Sequence, residues 1–366
     1  MVHVLIMAGG IGSRFWPKSR VSKPKQFLSF VDDKSLIQTT IERIESLVPA
    51  ERILVSTNID YVDLVKEQIP EIPDENIIGE PVAKNTAPCI AFAAALIHER
   101  DPDATMVVLP SDHYIRDNQV FIQDLTTCIN SLDDNSDRLV TLGITPNRPE
   151  TGYGYIQFND SQTIKIDDFY AYPVKTFAEK PDLQTAVKFL ESGDFLWNSG
   201  MFVWKTGRIL QEIEEQLPVL HHQVTVFSDA LKKSNGLPSD EILNSVYQAC
   251  FPVSIDYGIM EKSANVIVVP SHFDWSDLGS WLAVYEIHRE DGDEDGNVME
   301  AGNTLAINSN NCYVSSQSKK LITLVGLQGV GIIETDDALL ICKLENSQEV
   351  KEVYNKLDDD TQKKYR

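Results

Sequence analysis

Residues 2–27 constrain this chain more than any other stretch. Val2 to Met7 is short, apolar and rich in β-branched residues, the pattern of a buried strand. Ala8, Gly9, Gly10 and Gly12 follow at once. So many small residues leave backbone N–H groups open to a bulky anion. Arg14, Lys18, Arg20, Lys23 and Lys25 then place five cations within twelve positions, and no Asp or Glu occurs before Asp32. The whole chain carries a formal net charge of -23, so it repels polyphosphates in general and has kept this one stretch positive. A strand, a glycine loop and a cation cluster, in that order, read as a nucleoside-triphosphate site. Lys25 itself is expected in a polar surface loop, after Pro24.

Three glycine-loop mechanisms compete. A Walker loop needs GxxxxGK[ST], and no such string occurs. A dinucleotide loop needs GxGxxG; Gly10 and Gly12 match its start, but Phe15 stands at the third glycine position. The third is AGGIGSRFWPKS followed by SKPKQF, in which Arg14 and Lys25 can reach phosphate oxygens while the loop cradles them. Glycines alone would be explained by a tight strand-to-helix turn; Arg14, Pro17 and Lys25 at these spacings argue for more.

The length suggests two or three domains. No signal-peptide pattern precedes the first strand, and no apolar run reaches the length of a membrane span. Cys89, Cys128, Cys250, Cys312 and Cys342 are odd in number and lack CxxC spacing. They read as free thiols in a reducing cytoplasm. The acidity argues against nucleic acid and anionic membranes as partners.

Downstream, helical and strand patterns alternate. Helices are expected over 35–48, 61–69 and 88–98, and strands over 52–56, 77–78, 106–109 and 139–145. The alternation predicts an α/β fold, a mostly parallel Rossmann-like sheet with helices on both faces. Ligands of such sheets bind outside the carboxyl ends of the strands. The glycine loop, Asn85 and Thr86, and Asp112 all fall on that edge. Asp112, just past a buried strand, suits Mg²⁺, which takes a few hard oxygens and shares phosphate oxygens; a turn aspartate is the bland alternative. Gly152 and Gly154 flank Tyr153 at the head of a strand, where close backbone approach to a ligand or a bulge would need them. Glu179 lies in FAEKP, and its carboxylate could accept from vicinal hydroxyls or pair with Lys180. Asn198 is a polar amide in the apolar run FLWNSGMFVW and needs partners if buried. Asp277 follows another strand, with Asp274 as a competing acid.

AGGIGSRFWPKS with SKPKQF resembles the signature of the sugar-nucleotide pyrophosphorylases, with Ser13 where Thr is usual. FAEKP and WNSGMF resemble the sugar-recognition segments of the GDP-mannose pyrophosphorylases within that family, and WSDLGSW resembles the segment carrying their second metal-binding aspartate. The resemblance implies transfer of GMP from GTP to α-D-mannose 1-phosphate, giving GDP-mannose and pyrophosphate, with Mg²⁺ on Asp112 and Asp277. It implies Arg14 and Lys25 as catalytic cations. The nucleotide would be held by Ala8, Gly9, Gly10, Gly12, Ser13, Asn85, Thr86 and Asp112, and the sugar by Gly152, Glu179 and Asn198. Another nucleotide and hexose 1-phosphate pair, or a non-catalytic regulatory subunit, are the competing readings.

Residues 291–297, DGDEDGN, fit the first half of a calcium loop, but Gly302 stands where the bidentate Glu is required, so a solvated linker is expected. From Asn303 onward, short apolar stretches punctuated by Asn, Ser and Gly predict a small all-β tail. It resembles the β-helix-like segment of the guanylyltransferases. The expected division is a catalytic region over 1–290 and a β-helix-like region with a closing helix over 302–366. The latter could mediate a homodimer, and its charged end is expected to fray. The chain ends at Arg366, so the isomerase activity of bifunctional relatives is not expected.

Overall fold

Val2–Ala8 forms the first strand, β1, and Val4, Leu5 and Ile6 are fully buried in it. The structure, a computed structural model, describes residues 1–234, 238–357 and 363–366. Ile53–Asn58 (β2), Ile77–Glu80 (β3) and Thr105–Pro110 (β4) join β1 in the order β3-β2-β1-β4, all parallel. Parallel neighbours need crossovers, and these carry the helices Leu36–Ile44, Val62–Gln68 and Thr86–Arg100. The last is buried from Ala87 to Ile97. It lacks a polar face because it packs on β1 and also against the helices Thr206–Gln216 and Pro218–Ser234. Its alanines allow close approach, and Phe92 fills the space left, 5.0 Å from Phe227 and 4.7 Å from Tyr247 between ring centroids.

Beyond β4 the sheet becomes mixed. Phe195–Lys205 runs antiparallel to β4 and to Leu139–Ile144, and Val266–Pro270 lies parallel to the latter. Phe169–Glu179 and Gly154–Phe158 complete the sheet as antiparallel strands. Parallel order therefore holds for β1–β4 and for one later pair. The long strand Phe195–Lys205 divides its edge. Residues 195–197 pair with 155–157, whereas 202–205 pair with β4. The register shifts between Asn198 and Phe202, where Gly200 takes φ 69°, a conformation that favours glycine. The polar NSG triplet inside an apolar run thus marks the point where one strand is split between two partners.

The chain groups into two units. The first comprises Met1–Gly9, Ile41–Ser111 and Ile115–Trp275; the second comprises Gly10–Thr40, Asp112–Tyr114 and Ser276–Arg366. This spatial grouping cuts across the sequence division expected near 290–302, because the segment after β1 packs with C-terminal residues. In the second unit Phe15 lies 4.8 Å from Phe30 and 5.3 Å from Trp281, within a core that includes Tyr313, Ile333 and Tyr354. The short strands Val298–Glu300, Tyr313–Ser315 and Val330–Glu334 stack in parallel, and Thr304–Ile307 pairs in parallel with Ile322–Val325. That is the expected β-helix-like tail.

Two expectations for this tail change. The acidic loop is not simply solvated: Asp293 accepts from the backbone of Asp295 and Asn297, and Asn297 is buried with its amide on the Ser309 carbonyl. The chain end is not wholly frayed either. Residues 358–362 lie outside the described residues, but the Tyr365 carbonyl accepts from Trp16 Nε1 at 2.7 Å and from Arg20 at 2.6 Å. Among the described residues no helix is long and apolar enough to cross a membrane.

Candidate active site

The glycine loop begins where β1 ends. Gly10 and Gly12 take φ 85° and 71°, so both need glycine's left-handed freedom. Space is the second reason: a Cβ on Gly12 would overlap Lys25 Cβ, whereas one on Gly9 or Gly10 would meet nothing within 4 Å. Gly12 therefore packs on the lysine stem, and Gly9 and Gly10 leave open room. The loop is pinned by Lys25 N–H on the Ile11 carbonyl at 3.1 Å and by Ser19 Oγ on the Gly12 carbonyl at 2.7 Å. Five consecutive backbone N–H groups, Gly10 to Arg14, donate to no partner among the described residues. Such a row of amides is an anion cradle. Arg14 is exposed, with no partner for its guanidinium among the described residues.

The other loop cations divide by role. Arg20 binds the Asp337 carboxylate at 2.7 Å, and Lys18 stands over the Trp281 ring at 5.7 Å. Lys25 is only 5% exposed, against the expectation of a surface loop. It opens a short helical turn, Lys25–Phe27, with its stem on Gly12 and its ammonium 5.4 Å from the Phe15 ring centroid. Lys25 Nζ donates to Asp112 Oδ2 at 2.8 Å and to the Asp277 carbonyl at 2.7 Å. One buried ammonium thus holds both candidate metal-binding residues. Burial pushes the Asp112 carboxyl up, but the Lys25 charge, the neighbouring His113 and the Lys25 hydrogen bond together outweigh it and leave Asp112 below the usual carboxylate range.

Asp277 lies in a strained turn. Leu278 is fully buried at φ 46°, an uncommon conformation for a leucine. A Cβ on Gly279 would come within 2.8 Å of Asp277 Oδ2, so the glycine makes room for that carboxylate. Asp274, the competing acid, is exposed and belongs to the first unit. No group of three or more metal-ligating side chains occurs among the described residues.

The remaining candidates lie in the first unit. Asn85 is exposed at φ 67°, and its side chain caps the Thr86–Arg100 helix by accepting from Thr86 N–H. The Thr86 hydroxyl accepts from the Ile255 N–H at 2.8 Å, which uses one of its lone pairs for the fold and leaves its O–H to donate. Gly152 is exposed with its N–H on Glu150 Oε1 at 3.0 Å.

Gly154, Glu179 and Asn198 converge. Gly154 stands opposite Glu179 in the sheet. A Cβ on it would come 2.5 Å from Glu179 Oε2 and 3.3 Å from Asn198 Cβ. Glu179 Oε1 pairs with Lys180 Nζ at 2.9 Å. The Asn198 amide oxygen accepts from Gly200 N–H at 3.1 Å, and its nitrogen donates to Asp256 Oδ1 at 2.8 Å. Asp256 was not singled out in the sequence. It opens a π-helical turn, Asp256–Met260, a form that recurs at functional sites. In the sequence it is a single acid within FPVSIDYGIMEKS, with no spacing that marks it. Burial, then the neighbouring Glu179 carboxylate, push Asp256 up to about 6, although the Asn198 hydrogen bond opposes this.

The arrangement offers an anion cradle with cations and two carboxylates in one unit, and a polar set suited to hydroxyls in the other. The nucleotidyl transferase family matches residues 3–294, and the family described as MannoseP isomerase/GMP-like beta-helix domain matches 302–357. A mannose-1-phosphate guanylyltransferase of Escherichia coli is 38% identical over 100% of this chain and 76% of its own length. Another from Salmonella montevideo is 37% identical over 98% of this chain and 74% of its length. A crystal structure described as mannose-1-phosphate geranyltransferase from Thermus thermophilus superposes with a TM-score of 0.85 at 29% identity, covering 98% of this chain and 99% of that one. The chain belongs to the nucleotidyl transferase family and, within it, to the mannose-1-phosphate guanylyltransferases.

Proposed function

We propose that this chain transfers GMP from GTP to α-D-mannose 1-phosphate, releasing GDP-mannose and pyrophosphate. The observation that carries this reading is the row of open N–H groups from Gly10 to Arg14 beside the Lys25–Asp112 pair. The names of the full-length relatives supply the base and the sugar.

A phosphate monoester is already ionised, so no protein nucleophile is needed. The chain's task is positioning and charge neutralisation. The loop amides and Arg14 hold the β- and γ-phosphates, which leave as pyrophosphate. Ala8, Gly9, Gly10, Gly12 and Ser13 supply backbone approach. Lys25, fixed by Asp112 and the Asp277 carbonyl, neutralises charge near the attacking and α-phosphates. Asn85 and Thr86 serve the nucleoside side, and Gly152, Glu179 and Asn198 the sugar side.

Asp112 and Asp277 fit Mg²⁺. Both are carboxylates, Asp112 is held ionised, and Gly279 leaves space beside the Asp277 oxygens. Two protein carboxylates are typical for an ion that shares phosphate oxygens and waters. Bound there, Mg²⁺ would supply positive charge to the reacting phosphates.

Residues 1–290 are assigned to catalysis and 302–366 to covering and self-association. Leu305, Ile307 and Val325 are exposed on the parallel strands of the tail, which supports a homodimer through that region. Light scattering of Leu305→Asp against the parent tests it; an unchanged mass rules this surface out. The free cysteines, four of them buried, favour the cytoplasm. The test of the reaction is pyrophosphate release across several nucleoside triphosphates and hexose 1-phosphates. A regulatory subunit would bind GTP without releasing pyrophosphate.

A further inference from the structure

Asn198 and Glu179 do not stand alone beside Gly154. Asn198 commits its amide oxygen to Gly200 and one amide hydrogen to Asp256 Oδ1. Glu179 commits Oε1 to Lys180. Three polar positions remain: Glu179 Oε2, the second Asn198 amide hydrogen, and Asp256 Oδ2. Asp256 Oδ2 makes no side-chain hydrogen bond to another described residue. Asp256 is half-buried rather than fully enclosed. Gly154 lies against Glu179 and Asn198 with no side chain of its own: a Cβ there would come 2.5 Å from Glu179 Oε2, displacing that carboxylate, and would crowd Asn198 Cβ at 3.3 Å. Two acceptors and one donor around a bare backbone form a set for a polyol, whose hydroxyls both donate and accept.

We propose that Asp256 is a further specificity-determining residue, which fixes the Asn198 amide with one carboxylate oxygen and reads a ring hydroxyl of the sugar phosphate with the other. This rests on the reading that the chain uses a hexose 1-phosphate. The raised pKa is consistent with it. A carboxyl near 6 beside a second carboxylate gains most from a hydroxyl that can donate to its ionised form. A purely structural aspartate would need only its Asn198 contact.

Asp256→Asn separates the two roles. The new amide oxygen still accepts from the Asn198 amide, while the outward atom changes from acceptor to donor. The wild type and this variant are compared with GTP and mannose 1-phosphate, then with the 2-, 3- and 4-deoxy sugar phosphates. The expected result is a ~10–100-fold rise in KM for the sugar phosphate with KM for GTP unchanged, the range for losing one charged hydrogen bond. For one of the three positions, the penalty for removing the hydroxyl should vanish in the variant. Equal penalties at all three positions in both enzymes would overturn the proposal. So would a variant that loses GTP and sugar affinity together or does not fold, because that marks a structural residue. If the wild type rejects mannose 1-phosphate but accepts another hexose 1-phosphate, the substrate assignment fails instead, and the deoxy series of the accepted sugar carries the same test.

Discussion

Lys25 Nζ lies 2.8 Å from Asp112 Oδ2, and the same nitrogen reaches the Asp277 carbonyl at 2.7 Å. These residues come from three separate stretches of the sequence, and one buried ammonium ties them together. Its burial makes the test more exacting than for a surface cation. Lys25→Met keeps the stem that packs on Gly12 and removes only the charge. Turnover should fall ~10²–10³-fold, the usual cost of one electrostatic contact in the transition state. Lys25→Ala should add a drop in melting temperature by opening a gap beside Gly12 and Phe15. Wild-type turnover in a folded Lys25→Met enzyme would remove Lys25 from the catalytic set.

Asp112→Asn and Asp277→Asn should each abolish Mg²⁺-dependent turnover, and the losses should not add. Residues that serve one ion act as a unit. The double variant should then be hardly worse than the worse single one, with Mn²⁺ titrations as the readout. Independent, additive losses would mean that the two carboxylates do not share a metal. Asp274→Asn should leave turnover near normal, since Asp274 is an exposed side chain of the other unit.

Glu179→Gln should weaken use of the sugar phosphate and leave GTP affinity nearly unchanged, as measured by calorimetry with each ligand. The carboxylate pairs with Lys180 and stands over Gly154, so one oxygen remains for a hydroxyl. Loss of GTP binding with sugar binding intact would move Glu179 to the nucleoside side.

The titration of Asp256 has a signed consequence for stability. Its folded-state pKa of about 6 lies above the ordinary value of 3.8. Between those values the folded state holds more protons than the unfolded chain, so this group makes stability fall as pH rises from about 4 to about 6. Asp256→Asn cannot titrate. Its melting temperature relative to the wild type should therefore rise across that same window and level off above it. A difference independent of pH would show that Asp256 is not held in a proton-favouring environment.

Much of the fold was legible because its signals are local. The apolar run of β1, the glycines after it and the alanine-rich helix each carry their pattern within one strand, one loop or one helix. The antiparallel half of the sheet was not legible, because strand direction is settled by partners far apart in sequence, as when Phe202 meets Val108. The burial of Lys25 was hidden for the same reason: its carboxylate partner is 87 residues away. A lysine after a proline reads as exposed until Asp112 is placed against it. Asp256 was missed because a single acid carries no spacing signal. It gains meaning only when distant strands bring Asn198, Glu179 and Gly154 to it.

The most direct test is pyrophosphate release by the purified chain across GTP, ATP, UTP and dTTP, each with mannose 1-phosphate and glucose 1-phosphate. Turnover should be highest for GTP with mannose 1-phosphate, should require a divalent cation, and should yield GDP-mannose in equal amount to pyrophosphate. Binding of GTP without pyrophosphate release under any of these pairings would contradict the account and leave a regulatory nucleotide-binding protein in its place.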